Sequence, residues 1–240
     1  MKQWLGAYSA HPFETFGYSH LVMLVMFALG TVFLLHYSKY LKRGTRTHTI
    51  IKWLLFNLLF ICELSYQAWA LAHGFFFSAL YLPLHLCGIA SIIGMIGLLT
   101  YHPKLIQVNF FIGIVPAALA LITPDLPYDY EHFRFWKFFI QHMAIVWTSL
   151  FLLLSIKVPI SLKVTLEAYI YLVGYAVLMG FFNNWMGTNY LYLSYPPIEG
   201  TLLNYLGSGF AYLFNLGLTA LSFFFLLLVF YKGIYLLKRK

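Results

Sequence analysis

Long apolar runs separated by short polar stretches dominate this sequence. A helix needs about 20 predominantly apolar residues to cross a bilayer. Runs at about 21–37, 50–72, 77–100, 105–122, 138–156, 165–186 and 210–236 fit that length. Their apolar character is continuous, which excludes the alternating pattern of a membrane barrel. Only 9 % of residues are charged, against about 25 % in soluble domains. The expected fold is all-α: one polytopic domain over 1–240 with seven transmembrane helices. Residues 1–20 are too polar to span, and their aromatic residues Phe13, Phe16 and Tyr18 suit an interfacial segment. The next apolar run is full length, and no short hydrophobic region with a small-residue cleavage site is visible, so this segment does not read as a signal peptide.

The net charge of +8 does not mark a nucleic-acid binder, because the basic residues lie in short loops beside apolar runs. Their distribution carries topology instead. Twelve of the fifteen lysines and arginines fall after runs one, three and five or at the C-terminal end, leaving Lys2, Arg134 and Lys137 for the other side. Basic loops stay cytoplasmic. The expected orientation is N-terminus outside and C-terminus cytoplasmic, with Asp125, Asp129, Glu131 and Glu199 in outer loops.

Polar residues at membrane depth are functional candidates, because hydrocarbon has no water to satisfy them. The stretch YLPLHLCG places Pro83, His85 and Cys87 inside the third run. Pro83 is expected to free a carbonyl near Ala79 or Leu80, or only to start or kink the helix. At helical rise, Cys87 is expected about ten residues below the outer start of its span, at a depth similar to Glu63. Gln67 lies four residues from Glu63, on the same helix face. Gln141 and His142 fall in the first turns of the fifth run, and Asn183, Asn184 and Asn189 near the outer end of the sixth. Polar side chains from several helices are thus expected in the outer half of the bundle.

Each candidate also has a plainer reading. Glu63 either lines a polar cavity or hydrogen-bonds between helices. His85 and Cys87 are two apart and point to nearly opposite sides of a helix, so His85 reads as a packing histidine. Asn183 and Asn184 read as capping residues. Tyr190, Tyr192 and Tyr195 form an interfacial belt or a lid. Cys62 reads as inert packing, and two cysteines make neither a disulfide framework nor a metal cluster.

A cysteine and a histidine on adjacent helices suit covalent acyl transfer, in which the thiolate attacks an ester carbonyl and histidine handles the proton. The GxSxG elbow, the HExxH zinc motif, the Walker loop and the HxxxxD acyltransferase pattern are all missing. Nothing in the sequence calls for a metal or an organic cofactor, and no protein partner can be read from it.

YLPLHLCG in the third run, FFIQH at the start of the fifth and NYLYLSYPP after the sixth resemble the YwaF-type bacterial integral membrane proteins. These are related to the transmembrane protein 164 family, and the resemblance covers essentially the whole chain. The animal relatives are known as phospholipid acyltransferases with an essential cysteine and histidine, which align with Cys87 and His142. The resemblance therefore implies a bacterial cell-membrane enzyme whose partner is a membrane lipid, either a phospholipid or a lysophospholipid. It would transfer an acyl chain or hydrolyse a lipid ester, with Cys87 as nucleophile and His142 as base. Glu63, Gln67 and Asn189 are candidates for orienting the histidine, binding a headgroup or donating to an oxyanion; His85, Gln141, Asn184 and Tyr190 complete the supporting set. Two other classes stay open: a small-molecule or proton-coupled transporter with a polar site around Glu63, and a lipid-binding accessory protein without turnover.

Overall fold

The computed structural model describes residues 4–7, 11–75, 81–197 and 201–237. Seven α-helices occur among them: α1 (Tyr18–His36), α2 (Arg46–Ala72), α3 (Leu86–Thr100), α4 (Pro103–Ile122), α5 (Phe133–Ile156), α6 (Leu162–Met186) and α7 (Gly209–Leu237). Six are long and apolar enough to cross a membrane, and α3, with 15 residues, is a shorter apolar helix. The protein is an all-helical, multi-pass membrane protein.

α5 is the axis. It packs against α1, α2, α3 and α4, while α6 and α7 pair with each other and rest on α4. The sequence explains this arrangement. α3 carries Ser91, Gly94 and Gly97 on its inner side, and small residues let helix backbones approach closely where hydrophobic burial gives no preference between helix and lipid. A Cβ on Gly94 would lie 3.2 Å from Thr148, and one on Gly97 would lie 3.1 Å from Leu152. On the other flank, Gly30 of α1 makes room for Trp147, whose ring would meet a Cβ at 2.2 Å. The outward faces of α1, α6 and α7 carry large exposed side chains such as Leu29, Val32, Ile170, Leu178, Phe214 and Val229. They are the surface a bilayer would cover.

Two expected boundaries are corrected. The third span was expected from residue 77, but α3 begins at Leu86, behind a non-helical turn at Tyr81–His85; residues 77–80 lie outside the described residues, as do Glu199 and the C-terminal Lys238, Arg239 and Lys240. Pro83 sits in that turn, so it neither starts nor kinks the helix, and the carbonyls expected to be freed at Ala79 and Leu80 are not described. The fifth span starts at Phe133 rather than 138, because Arg134 and Lys137 belong to the helix and lie over aromatic rings.

The N-terminal segment packs onto the ends of α2 and α5. The Phe133 N–H donates to Trp4 C=O (2.9 Å), and the Trp69 indole N–H donates to Leu5 C=O (3.0 Å). His132 is the N-cap of α5: its Nδ1 accepts from Arg134 N–H at 3.1 Å, and its Nε2–H donates to Gly6 C=O at 2.9 Å. His132 is fully buried, and burial lowers its pKa below the ordinary value of 6.5.

Candidate functional site

α3 starts late because of a close backbone approach. A Cβ on Gly88 would lie 2.5 Å from Pro83 C=O, so the turn can fold down on the first turn of α3 only where residue 88 has no side chain. Non-helical backbone at membrane depth is tolerated where protein satisfies its polar groups. Here three side chains do so. The Gln67 amide donates to Tyr81 C=O (2.9 Å), Tyr190 OH accepts from Leu82 N–H (3.0 Å), and Tyr175 OH donates to Leu84 C=O (2.7 Å). The turn is therefore fixed from α2, from the loop after α6 and from α6 itself.

This changes where two candidates stand. Cys87 is the second residue of α3 and lies in its first turn, not ten residues down a span. His85 is the N-cap with extended backbone, so the two are not on opposite faces of one helix. The His85 ring packs on Tyr190 and Tyr192, with centroids 4.8 and 5.2 Å away. No side chain caps α3. The N–H groups of Leu86, Cys87 and Gly88 have no acceptor among the described residues. A helix start with free N–H groups favours negative charge.

Below this turn a polar network crosses three helices. Gln141 of α5 donates to Glu63 of α2 and to Ser91 Oγ of α3, both at 3.1 Å. The other oxygen of Glu63 accepts from Gln67 at 2.8 Å, and the Ser91 hydroxyl donates to Cys87 C=O at 3.0 Å. Glu63, Gln67 and Gln141 are thereby one structural unit that fixes the Cys87 turn against α5. His142, the next residue on α5, is buried, and its Nδ1 lies 2.7 Å from Phe138 C=O. A carbonyl only accepts, so Nδ1 carries the hydrogen and Nε2 keeps its lone pair. That is the tautomer a general base needs. No hydrogen bond joins Cys87 to His142 in this state.

The loop after α6 is built by asparagines. Asn183 is buried rather than a cap: its Oδ1 accepts from Tyr190 N–H and from Thr188 OH, both at 2.8 Å, and its amide donates to Tyr190 C=O at 2.9 Å. Asn189 accepts from Ser194 N–H (2.9 Å) and donates to Tyr195 C=O (2.8 Å), closing the next turn. Asn184 is exposed. Tyr190 is 1 % exposed and therefore a pillar under the Leu82 turn, not part of an interfacial belt; burial pushes its phenol up to about 12. Tyr192 donates to Asp125 at 3.0 Å, and burial together with that carboxylate raises its pKa further. A cavity of about 260 Å³ opens here, lined by His85, Asp125, Asn189, Tyr190, Tyr192 and Tyr195 among others.

The sequence reading passed over Ser91, Tyr175 and Lys137. Ser91 was signalled by its place four residues after Cys87 on a small-residue face. Tyr175 gave no signal among other span aromatics. Lys137 was assigned to a loop, yet it lies on α5 with its ammonium 3.8 Å from the centre of the Tyr66 ring.

The fold and this turn-and-network arrangement define a class: a polytopic helical membrane protein whose short helix starts at a hydrogen-bonded break in the backbone. The chain matches the model of the TMEM164 family over residues 15–229, and it belongs to that family. Neither a curated protein nor a solved structure matches it.

Proposed function

We propose that this protein transfers acyl chains between membrane lipids through a thioester on Cys87. The observation that carries the reading is the position of Cys87 in the uncapped first turn of α3, with His142 in its base-competent tautomer on the helix to which that turn is bonded. In the first step His142 Nε2 takes the thiol proton. The sulfur attacks the carbonyl carbon of a phospholipid ester, a C–S bond forms, and the C–O bond breaks. The lysophospholipid alkoxide leaves with the proton from His142. In the second step His142 takes the proton of an acceptor hydroxyl, the acceptor oxygen attacks the thioester, and Cys87 leaves as thiolate and is reprotonated by His142. The free N–H groups of Cys87 and Gly88 are suited to receive the oxyanion. Water as acceptor makes the same cycle a lipid hydrolase.

The family membership supports this reading through the acyl transfer that the resemblance to animal members implies. Glu63, Gln67 and Gln141 act by holding the turn. Asn189, Tyr190 and His85 shape the cavity beside it. The basic-loop asymmetry supports an N-terminus outside and a site in the outer half of the membrane, and the resemblance to bacterial membrane proteins implies that this is a bacterial plasma membrane.

The test is to incubate purified protein with a phospholipid carrying a labelled acyl chain, with and without a lysophospholipid. Wild type is expected to give a hydroxylamine-labile acyl adduct on Cys87 and labelled product. Cys87→Ala should give neither, and His142→Ala should slow adduct formation at least about hundredfold. Full turnover in Cys87→Ala overturns the reading. Label appearing as free fatty acid even with a lysophospholipid present identifies a hydrolase.

A further inference from the structure

We infer that the end of the bundle opposite Cys87 binds the phosphate of an anionic phospholipid, between Arg43 and Lys52 at the ring of Tyr101. Tyr101 is the C-cap of α3, and at helical rise it stands about 20 Å from Cys87, so this site is separate from that of the acyl-transfer reading. A left-handed turn places its ring: φ is 54°, and the Tyr101 N–H donates to Gly97 C=O at 2.8 Å. α2 starts beside it. Thr45 caps that helix by accepting from the His48 N–H at 3.1 Å, which fixes His48 in the first turn. Lys52 follows four residues later on the same face.

Three basic side chains converge on this one phenol. Arg43 Cζ lies 4.7 Å and Lys52 Nζ 4.9 Å from the centre of the Tyr101 ring, and the His48 ring centre is 5.6 Å from it. Two cations drawn to one ring repel each other, and a carboxylate would be the ordinary answer. Neither has one among the described residues; Glu167, which lies at this end, is taken by Lys104 and Lys163. His48 supplies a second observation. It is 2 % exposed, packed on Tyr101 and on Phe151 of α5, and its Nε2 has no hydrogen-bond partner among the described residues. Buried polar atoms are normally paired, so an orphaned one beside two uncompensated cations marks a place where the partner comes from outside the chain. The N–H groups of Arg46 and Thr47, at the positive end of α2, also lack acceptors among the described residues. The missing partner is an anion that accepts hydrogen bonds, and a guanidinium beside an ammonium suits a phosphate. Exposed Trp53, whose ring centre is 5.2 Å from Lys52 Nζ, and exposed Tyr40 put the cluster at headgroup level, so the phosphate is that of a lipid.

The test uses the full chain in a neutral detergent, with phosphatidylglycerol, phosphatidylcholine and inorganic phosphate as probes and bound lipid counted by native mass spectrometry. Wild type is expected to bind phosphatidylglycerol at least about tenfold more tightly than phosphatidylcholine. Arg43→Gln/Lys52→Gln should lose about tenfold or more for phosphatidylglycerol, while Lys163→Gln/Lys232→Gln, which removes as much charge from the same end, stays within about threefold of wild type. Equal losses in the two double variants mean a diffuse basic surface and overturn the inference, as does a wild type that prefers neither lipid. Displacement of the lipid by millimolar inorganic phosphate assigns the cluster to free phosphate and overturns the lipid as occupant. If Arg43→Gln/Lys52→Gln does not fold, wild type decides. Phenylglyoxal modification of Arg43, with Arg46 as internal reference, should then slow at least about threefold in phosphatidylglycerol relative to phosphatidylcholine. An unchanged rate overturns the inference.

Discussion

Gln141 and Ser91 are hydrogen-bonded at 3.1 Å across α5 and α3, and the same Gln141 amide holds Glu63 of α2 at 3.1 Å. One amide thus joins three helices at the level where the Cys87 turn is anchored. In Gln141→Leu, Glu63 and Ser91 each lose the amide donor that they accept from in a protein interior. Leaving buried polar groups unpaired costs about 1–3 kcal/mol each. The expected outcome is a lower unfolding midpoint in detergent and at least a tenfold loss of Cys87 acylation, measured on the same preparations. Glu63→Gln should be milder in stability, since it keeps an acceptor for one of the two glutamines.

Tyr190→Phe removes the acceptor of the Leu82 N–H while preserving the ring that packs on His85. An orphaned backbone donor in this setting costs about 1–3 kcal/mol. Because Leu82 lies in the turn ahead of Cys87, local opening should rise more than global unfolding falls. Hydrogen exchange at residues 82–88 is expected to quicken in Tyr190→Phe, while exchange in α4 and the middle of α5 stays at the wild-type rate. Uniform quickening across the bundle would mean that Tyr190 supports the fold at large.

The all-helical architecture was legible because apolar run length is a direct consequence of bilayer thickness. The pair Glu63–Gln67 was legible too, since spacing of four on a helix predicts the 2.8 Å bond that joins them. The start of α3 was not. Hydropathy reads Tyr81–His85 as apolar span, whereas the break depends on Gly88 admitting Pro83 C=O and on three donors and acceptors from other elements. Counting from residue 77 put Cys87 about ten residues into a helix, whereas it is the second residue of α3. Lys137 was hidden for the converse reason: a charge near a run's edge looks like loop, and its aromatic partner Tyr66 lies on another helix. Spacing along one chain reveals neighbours on the same helix, while register between helices is set by tertiary packing.

His132 gives a pH dependence with a definite sign. Its Nδ1 must be unprotonated to accept the Arg134 N–H, and burial lowers its folded-state pKa, with Arg134 acting in the same direction and the bond to Gly6 opposing. The unfolded chain therefore binds the proton more readily than the folded one. Stability is fully present above the unfolded value of about 6.5 and is lost as pH falls below it toward the folded pKa. Thermal midpoints between pH 8 and 5 should fall more in wild type than in His132→Asn, which keeps a capping oxygen and cannot titrate. Both proteins are measured with His11→Gln, so that the exposed His11–Glu131 contact at 3.0 Å does not enter the comparison.

Gly88→Ala tests whether the Cys87 turn depends on the approach that the Pro83 carbonyl makes. The new Cβ would stand 2.5 Å from Pro83 O and 2.7 Å from its carbonyl carbon, and both are backbone atoms that cannot rotate away. Something must move, and overpacking of this kind costs about 1–3 kcal/mol. α3 has two ways to respond. If the Tyr81–His85 turn lifts, the bonds from Gln67, Tyr190 and Tyr175 lengthen, and Cys87 loses its position while Ser91 and Gln141 stay bonded. If α3 slides along α5, Gly94 and Gly97 meet Thr148 and Leu152, which already leave only 3.2 and 3.1 Å for a Cβ. The close packing of the second route favours the first. Gly88→Ala is therefore expected to fold with a modestly lower midpoint, to lose at least about tenfold in Cys87 alkylation and acylation, and to show faster exchange confined to residues 81–88. Wild-type Cys87 reactivity in a stably folded Gly88→Ala protein would show that the thiol's environment is set by α3 and α5 without the turn.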